Sequence, residues 1–255
     1  MNAFLKICLL FSLTGLGYSW QYPRNADQTL WAFRACQREG KNPALVRKWM
    51  NWELPDDTET HCYVKCVWTY LGSYNEDRKS IKIDTVKKQY KARGVTIPNG
   101  ISKIGGPTDG SCTGVYKKTI DFFISQKTNL QKAYYGTIEA SNEWYSKNPN
   151  VKPKGTKISD FCKAENREGG KEGTCKHACS MYYYRLVDED NLVIPFRKLN
   201  IQGIPGPKIE ECRRIASSKS GCKVSDALYS CLNKINSQGF IAALKKLDEE
   251  SSRSY

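Results

Sequence analysis

The cysteines of this 255-residue chain constrain its fold more strongly than any other feature. There are 11 of them against 2 histidines, a content that is high for a compartment in which thiols stay reduced. Four of them form two Cys-x-x-x-Cys motifs, Cys62/Cys66 and Cys175/Cys179. Residues four apart lie on one face of a helix, so each motif can tie its helix to two neighbours. The pattern therefore indicates helical domains that are held together by disulfides.

The first 19 residues have the composition of a secretory signal peptide. Lys6 is their only charge, their apolar run is too short to span a bilayer, and the small residues Gly17 and Ser19 mark a cleavage site. We therefore predict that residues 1–19 are removed and that the protein is secreted. Loss of Cys8 leaves an even number of cysteines, and loss of Lys6 lowers the formal net charge of +14 by one.

The remaining cysteines divide between two halves of the chain. Each half has a lone cysteine, then a Cys-x-x-x-Cys motif, then later cysteines, which is a weak internal repeat. Between the halves, residues 148–157 contain prolines, a glycine and lysines without apolar periodicity, which is typical of a linker. We predict one domain over residues 20–147 and a second over residues 158–255, with a frayed tail from Glu249.

Apolar residues recur at helical spacing almost throughout the chain, as with Leu45, Trp49 and Trp52. Residues 98–111 hold four glycines and two prolines and are predicted to be a loop, and residues 192–194 are the one short strand candidate. The predicted fold class is all-α, with two disulfide-stapled helical domains in tandem. The predicted helices cover residues 29–36, 44–52, 58–71, 83–92, 116–124, 130–144, 175–186 and 240–247.

The cysteine spacing of the second half is also specific. A lone Cys162 and the pair Cys175-x3-Cys179 are followed by Cys212-x9-Cys222-x8-Cys231. This order resembles the six-cysteine pattern of insect odorant-binding proteins, and the first half resembles the same pattern without its fourth and sixth cysteines. The resemblance implies the disulfides Cys36–Cys66, Cys62–Cys112, Cys162–Cys179, Cys175–Cys222 and Cys212–Cys231.

Four segments of the first half indicate which family of odorant-binding-like proteins the chain resembles. They are Leu45-Val-Arg-Lys-Trp49-Met-Asn-Trp52, Thr60-His-Cys62-Tyr63-Val-Lys65-Cys66-Val67, Gly72-x-Tyr74 and Gln89-Tyr90-Lys91-Ala92. With two odorant-binding-like domains behind a signal peptide, they resemble the long-form D7 salivary proteins of blood-feeding flies, and closely a sand-fly member. The resemblance implies a monomeric salivary scavenger without a cofactor. Such a protein binds cysteinyl leukotrienes and thromboxane A2 in its N-terminal domain, and so limits inflammation, vasoconstriction and platelet aggregation.

Candidate lipid-binding residues follow from the aromatic pattern and from this resemblance. Trp49 and Trp52 can supply an apolar slot, or they can simply belong to the core. The resemblance places Tyr63 at the lipid channel, where its phenol can bind a lipid hydroxyl, and Gly136 where a backbone amide approaches the ligand. It also implies that a lysine before Cys162, either Lys154 or Lys157, meets the lipid carboxylate. Each lysine can equally be a solvated surface charge.

A biogenic-amine site is the second possibility that the resemblance implies, in the C-terminal domain. An ammonium needs carboxylates and aromatic walls, which Asp188, Glu189 and Asp190 with residues 182–184 could supply. Only 12 residues separate Cys162 from Cys175, so the half is compact and the helices that build an amine pocket are reduced. We therefore predict weak or absent amine binding.

Two further classes of function were weighed. Neither G-x-S-x-G, a P-loop nor H-E-x-x-H occurs in the sequence, so we predict a protein that is not an enzyme and holds no metal. The positive charge would suit a polyanionic surface and thus an anticoagulant, although the basic pairs are scattered along the chain. No run approaches the length of a membrane span, and we expect neither nucleic acid nor a membrane as a partner.

Overall fold

Helices make up almost all of the regular structure in the computed structural model, which describes residues 22–164 and 175–254. The predicted signal peptide, residues 1–19, lies outside the described residues. The helices of the first half are α1 (Ala26–Gln37), α2 (Pro43–Met50), α3 (Thr58–Tyr70), α4 (Ile83–Ala92), a 3₁₀ helix (Asn99–Ile104), α5 (Cys112–Ala133) and α6 (Ile138–Lys147). Those of the second half are α7 (Ile158–Ala164), α8 (Ala178–Tyr183), α9 (Gly206–Ser217), α10 (Lys223–Ile235) and α11 (Ser237–Ser254). A short antiparallel hairpin pairs β1 (Tyr74–Asn75) with β2 (Ser80–Ile81). The prediction of an all-α fold is confirmed.

Side chains that cap the helices determine where several of them begin. Asn25 and Gln28 form a capping box at α1, in which each side chain accepts a hydrogen bond from the other residue's backbone amide. The Asp57 carboxylate accepts from the Thr60 amide at 2.9 Å and starts α3, and Ser111 caps α5 in the same way. These starts therefore come from local sequence.

The five disulfides of the structure join the same cysteines that the resemblance implies. In the first half, Cys36–Cys66 ties α1 to α3 and Cys62–Cys112 ties α3 to α5. In the second half, the bridges link α7 to α8, the residues before α8 to the start of α10, and α9 to α10. Each bridge restricts the unfolded chain, which stabilises the fold by about 3–4 kcal/mol for loops of this size.

The predicted helix over residues 130–144 is wrong, because the chain turns inside it. Helix α5 ends at Ala133, Tyr135 adopts a left-handed conformation with φ of 52°, and the Gly136 amide donates to the Gln131 carbonyl at 2.7 Å. Thr137 then caps α6. Gly136 therefore marks the end of α5 and Thr137 the start of α6. Apolar periodicity alone does not reveal either boundary.

The helices of the second half depart most from the prediction. The predicted helix over residues 175–186 is restricted to α8, whereas α9 and α10 were not predicted. Ile209, Cys212 and Ala216 nevertheless form one buried face of α9 at helical spacing. The predicted frayed tail is also wrong, because α11 continues to Ser254 and Glu250 forms an ion pair with Arg38 at 3.4 Å.

The apolar core of the first half also contains residues from the second half of the chain. Ile194 is 1% exposed within the apolar cluster of the first half, and Phe196 packs against the same cluster. The Arg197 guanidinium lies 5.3 Å from the centroid of Trp31 and 5.9 Å from that of Tyr70. The two apolar clusters otherwise lie on either side of residues 148–157, so the domain division stays a prediction, and Ile194 and Phe196 cross it.

The predicted linker itself is packed between the halves. Lys152 is fully buried, its backbone amide donates to the Tyr183 hydroxyl at 3.1 Å, and its ammonium donates to the Pro153 and Thr156 carbonyls. Burial lowers the pKa of Lys152 to about 8, because the charged form loses its water shell. The connection is thus a structural element and not a loose tether.

Buried ionic contacts join the two halves beside this connection. The Arg185 guanidinium donates to the Asp27 carboxylate, and both residues are at most 2% exposed. The Tyr145 hydroxyl donates to the other Asp27 oxygen at 2.9 Å. Nearby, Arg24 pairs with Glu189 at 3.9 Å. Asp27, Arg185 and Arg24 therefore each pair with a charged residue of the opposite half.

Candidate functional site

An apolar channel runs between the helices of the first half. The space between its side chains is about 490 Å³, a figure that includes the open mouth. Its walls come from α1, α2, α3, α5 and the turns that follow α2, α3 and α5. The lining residues are Phe33, Trp49, Trp52, Leu54, Tyr63, Val64, Val67, Trp68, Leu71, Phe123, Leu130 and Tyr134. The channel is thus suited to an elongated hydrocarbon.

Two of the predicted residues, Trp49 and Tyr63, form one wall together. Their rings stack with centroids 4.5 Å apart and planes 5° apart. The Trp49 indole nitrogen donates to the Thr60 hydroxyl at 2.9 Å, and Thr60 in turn donates to Asp57, the residue that caps α3. The start of α3 therefore fixes the orientation of the Trp49 ring, and that ring positions Tyr63.

Trp52 forms the wall nearest to the end of α2. It follows the helix in a left-handed conformation with φ of 57°, stacks on Phe123 at 5.4 Å and meets Phe33 edge-on at 5.3 Å. A Cβ atom on Gly136 would lie 2.1 Å from the Trp52 ring. Position 136 therefore requires glycine, because any side chain there would overlap the Trp52 ring.

The role predicted for the Gly136 amide is corrected by this geometry. Its N–H group donates to the Gln131 carbonyl and terminates α5, so it is not available to a ligand. Gly136 instead influences the channel indirectly, because the absence of a side chain leaves room for the Trp52 indole.

Two phenol groups supply the polar atoms of an otherwise apolar lining. Burial raises the pKa of Tyr63 to about 12, against the opposing effects of its hydrogen bond with Gln37 and the charge of Arg34. Burial also raises the pKa of Tyr134 well above its ordinary value. Both phenols are therefore neutral at physiological pH, with the Tyr63 hydroxyl beside Gln37 and the Tyr134 hydroxyl beside Ser73 and Tyr22.

The two candidate lysines lie outside the channel lining. The Lys154 ammonium donates to the Asn142 side chain at 2.8 Å and lies 4.8 Å from the Tyr145 ring centroid, and Lys157 is exposed. Lys154 is close enough to Arg34 for that charge to lower its pKa, after the larger effect of burial. Of the two lysines, Lys154 is thus the one that senses the charge of Arg34.

The residues considered for an amine site have other partners. The Asp188 carboxylate accepts from the Asp190 and Leu192 amides and closes a turn, and Glu189 accepts from Gln28 at 3.1 Å. The cation beside the tyrosines of residues 182–184 is the protein's own Arg185, 4.9 Å from the Tyr182 ring centroid. Weak or absent amine binding stays a prediction.

Most of the channel lining was not singled out from the sequence. The signal was nevertheless present in α3, where Val64, Val67, Trp68 and Leu71 recur at the spacing of one helix face. Tyr134 carried no such signal, because it lies in the turn after α5 and enters the channel only through the packing of α5 on α3.

Comparisons with known proteins identify relatives over the whole chain. Residues 23–98 match the PBP/GOBP family. The long form salivary protein D7LC of Phlebotomus papatasi is 56% identical over 255 residues, which is 100% of each chain. The solved D7 protein from Phlebotomus duboscqi is 55% identical with a TM-score of 0.83, over 92% of this chain and 100% of that chain.

A more distant solved structure has the same fold. It is the AeD7–leukotriene E4 complex, with a TM-score of 0.69 at 18% identity over 91% of each chain. Within residues 22–164 and 175–254, we find no helix with the length and apolar content that crossing a membrane requires.

Proposed function

The chain belongs to the long-form salivary D7 family, and from this premise we propose that it sequesters host eicosanoids, namely cysteinyl leukotrienes and thromboxane A2. The mechanism is one-to-one capture without chemical change, in secreted saliva. Removal of these mediators would limit inflammation, vasoconstriction and platelet aggregation at the bite. Scavenging of dilute mediators needs a dissociation constant in the nanomolar range, which corresponds to a binding free energy of about −12 kcal/mol.

The apolar channel is the observation that carries this proposal. An eicosanoid has a long hydrocarbon, one or more oxygens along it and a terminal carboxylate. The channel offers aromatic and aliphatic walls for the hydrocarbon, and the neutral phenol of Tyr63 beside Gln37 is assigned to a lipid oxygen. The distant structural neighbour AeD7 was solved as a complex with leukotriene E4, which is consistent with a lipid of this kind.

Positive charge near Tyr63 is assigned to the terminal carboxylate of the lipid. Arg34 is half-buried, donates to Gln37 at 2.9 Å and acts on the Tyr63 phenol, while Lys154 stands close to Arg34. We therefore assign the carboxylate end to the Tyr63 side of the channel, with Arg34 and Lys154 as the cations. Lys157 is left as a solvated surface charge.

Titration calorimetry on the mature protein tests the proposal. Leukotriene C4 and a stable thromboxane analogue should each bind one to one, and serotonin should give no measurable heat. Absence of heat from both lipids would overturn the proposal, whereas submicromolar serotonin binding would overturn the expectation for amines.

Tyr63→Phe should weaken the thromboxane analogue about fivefold to tenfold and the leukotriene by less than twofold. The reason is the loss of one hydrogen bond to a lipid hydroxyl, worth about 1 kcal/mol. Tyr90→Phe is the control, because the buried Tyr90 hydroxyl makes no hydrogen bond within the described structure and does not line the channel. Equal losses for the two lipids would argue against the role given to Tyr63.

Gly136→Ala should weaken both lipids about tenfold. The added methyl group would lie 2.1 Å from the Trp52 ring and force the indole to move within the channel wall. Gly100→Ala is a matched control, since a Cβ there would meet no atom within 4 Å. Unchanged lipid affinity in Gly136→Ala, with unchanged Trp fluorescence, would show that Trp52 does not shape the binding space.

A further inference from the structure

One of the five disulfides differs from the others in its exposure to solvent. Cys62 is exposed and Cys112 is half-buried, so neither residue of this bridge is buried in the core. Each of the other four bridges in the described part of the chain has one residue that is at most 1% exposed. These buried residues are Cys36, Cys162, Cys175 and Cys212. Because thiol–disulfide exchange requires access to a sulfur, the Cys62–Cys112 bridge is the one most open to an external thiol.

A concave surface, which we call the outer hollow, gives access to Cys62 from outside the lipid channel. It spans about 520 Å³, a figure that includes open solvent. Its lining residues are Cys36, Glu39, Gly40, Lys41, Trp49, Glu59, Cys62, Tyr63 and Cys66. Trp49 and Tyr63 line both the hollow and the channel. Cys62 therefore lies at an open surface directly behind a channel wall.

The two bridges at the outer hollow differ in where their second cysteines lie on the helices. Cys112 is the first residue of α5, and the positive end of a helix stabilises a thiolate. Cys36, the partner of Cys66, is buried in the last turn of α1, where the negative end of the helix disfavours a thiolate. Cys112 is therefore the better leaving group, and the Cys36–Cys66 bridge is an internal comparison within the same hollow.

We propose that Cys62 is a site of thiol–disulfide exchange with external low-molecular-weight thiols, and that opening of its bridge loosens the lipid channel. The thiolate of the external thiol attacks the Cys62 sulfur, and a new S–S bond forms between them. The bond from Cys62 to Cys112 breaks, and its electron pair leaves on the Cys112 sulfur, which then takes a proton from water. One disulfide replaces another and one thiol replaces another, so the step needs no further oxidant or reductant.

The channel responds because this bridge joins the starts of the two helices that form most of its walls. The lining residues on α3 and α5 are Tyr63, Val64, Val67, Trp68, Phe123 and Leu130. Opening of the bridge releases the start of α3 from the start of α5, while Cys36–Cys66 still holds α3 to α1. The wall that carries Tyr63 can then move away from α5, and a bound lipid leaves faster. This link to the channel rests on the proposed function, whereas the exchange reaction does not.

Mass spectrometry of the folded, mature protein tests the exchange site. The outer hollow carries Glu39, Glu59 and Lys41, so the probe is an uncharged thiol, 2-mercaptoethanol, with N-ethylmaleimide added afterwards to trap free thiols. The first product should carry 2-mercaptoethanol on Cys62 and maleimide on Cys112, and Cys36–Cys66 should open at least about tenfold more slowly. Earlier opening of Cys36–Cys66 or of any other bridge would overturn the exchange site. Probe on Cys112 with maleimide on Cys62 would overturn the roles given to the two sulfurs.

The rate of lipid dissociation tests the link to the channel. A stable thromboxane analogue should leave the Cys62-modified protein about fivefold faster than the untreated protein, because the tether between α3 and α5 is lost. The double variant Cys62→Ser/Cys112→Ser should release the lipid as fast as the modified protein, and if it does not fold, the modified protein alone decides. An unchanged rate in the modified protein would overturn the link. If the untreated protein binds no lipid, the proposed function and this link fail together, and the labelling still decides the exchange site.

Discussion

Asp27→Ala is expected to lower the free energy of unfolding by about 3–5 kcal/mol, the usual range when one partner of a buried ion pair is removed. Asp27 is 2% exposed and pairs with Arg185, which is 1% exposed. The substitution leaves the Arg185 guanidinium buried without its carboxylate and removes the acceptor of the Tyr145 hydroxyl. Chemical denaturation followed by tryptophan fluorescence measures the change.

An exposed ion pair provides the control for this prediction. Glu143→Ala breaks a pair with Lys147 on the surface of α6 and should leave the denaturation midpoint unchanged. Comparable destabilisation by Asp27→Ala and Glu143→Ala, or a loss below about 1 kcal/mol for Asp27→Ala, would show that the pair between the halves does not stabilise the fold.

Ile194→Ala is expected to lower the free energy of unfolding by about 2–5 kcal/mol. It should destabilise the first half of the protein, although residue 194 belongs to the second half of the chain. Ile194 is 1% exposed inside the cluster that contains Trp31 and Tyr70. Removing its side-chain atoms leaves a cavity there. Hydrogen exchange should therefore show reduced protection of the backbone amides of α1 and α3.

Ile209→Ala is the matched comparison for Ile194→Ala. Ile209 is 5% exposed in the cluster of the second half, so the same atoms are removed from the other core. We expect Ile209→Ala to reduce hydrogen-exchange protection first in α9 and α10. If Ile194→Ala reduced protection only in the second half and left α1 and α3 unchanged, the two halves would be independent domains with the boundary predicted from the sequence.

Local signals in the sequence were sufficient for much of the first half. The periodicity around Trp49 and Trp52 predicts the region of α2, and the acidic start before Cys62 predicts α3 almost to its ends. Both depend on interactions within a few residues, such as the Asp57 cap. The same reasoning missed α9 and α10, even though their buried faces have helical spacing, and it extended a helix across Gly136.

The candidate site was predictable only in part. Trp49, Trp52 and Tyr63 line the channel because they lie on α2, just after it and on α3, elements whose positions the sequence indicates. Their contact with a lipid stays a prediction. The role of Gly136 could not be foreseen, since it depends on the Trp52 ring more than eighty residues earlier in the chain.

The sequence by itself determined the helical class, the division of the cysteines into two sets and the likeness to salivary D7 proteins. Those features depend on spacing and residue type, which are properties of the chain read in order. Tertiary structure alone decided that Ile194 and Phe196 complete the first core, that Asp27 pairs with Arg185, and that Trp49 and Tyr63 form one wall of the channel. These arrangements depend on side chains distant in sequence, and only the folded packing brings them within contact distance.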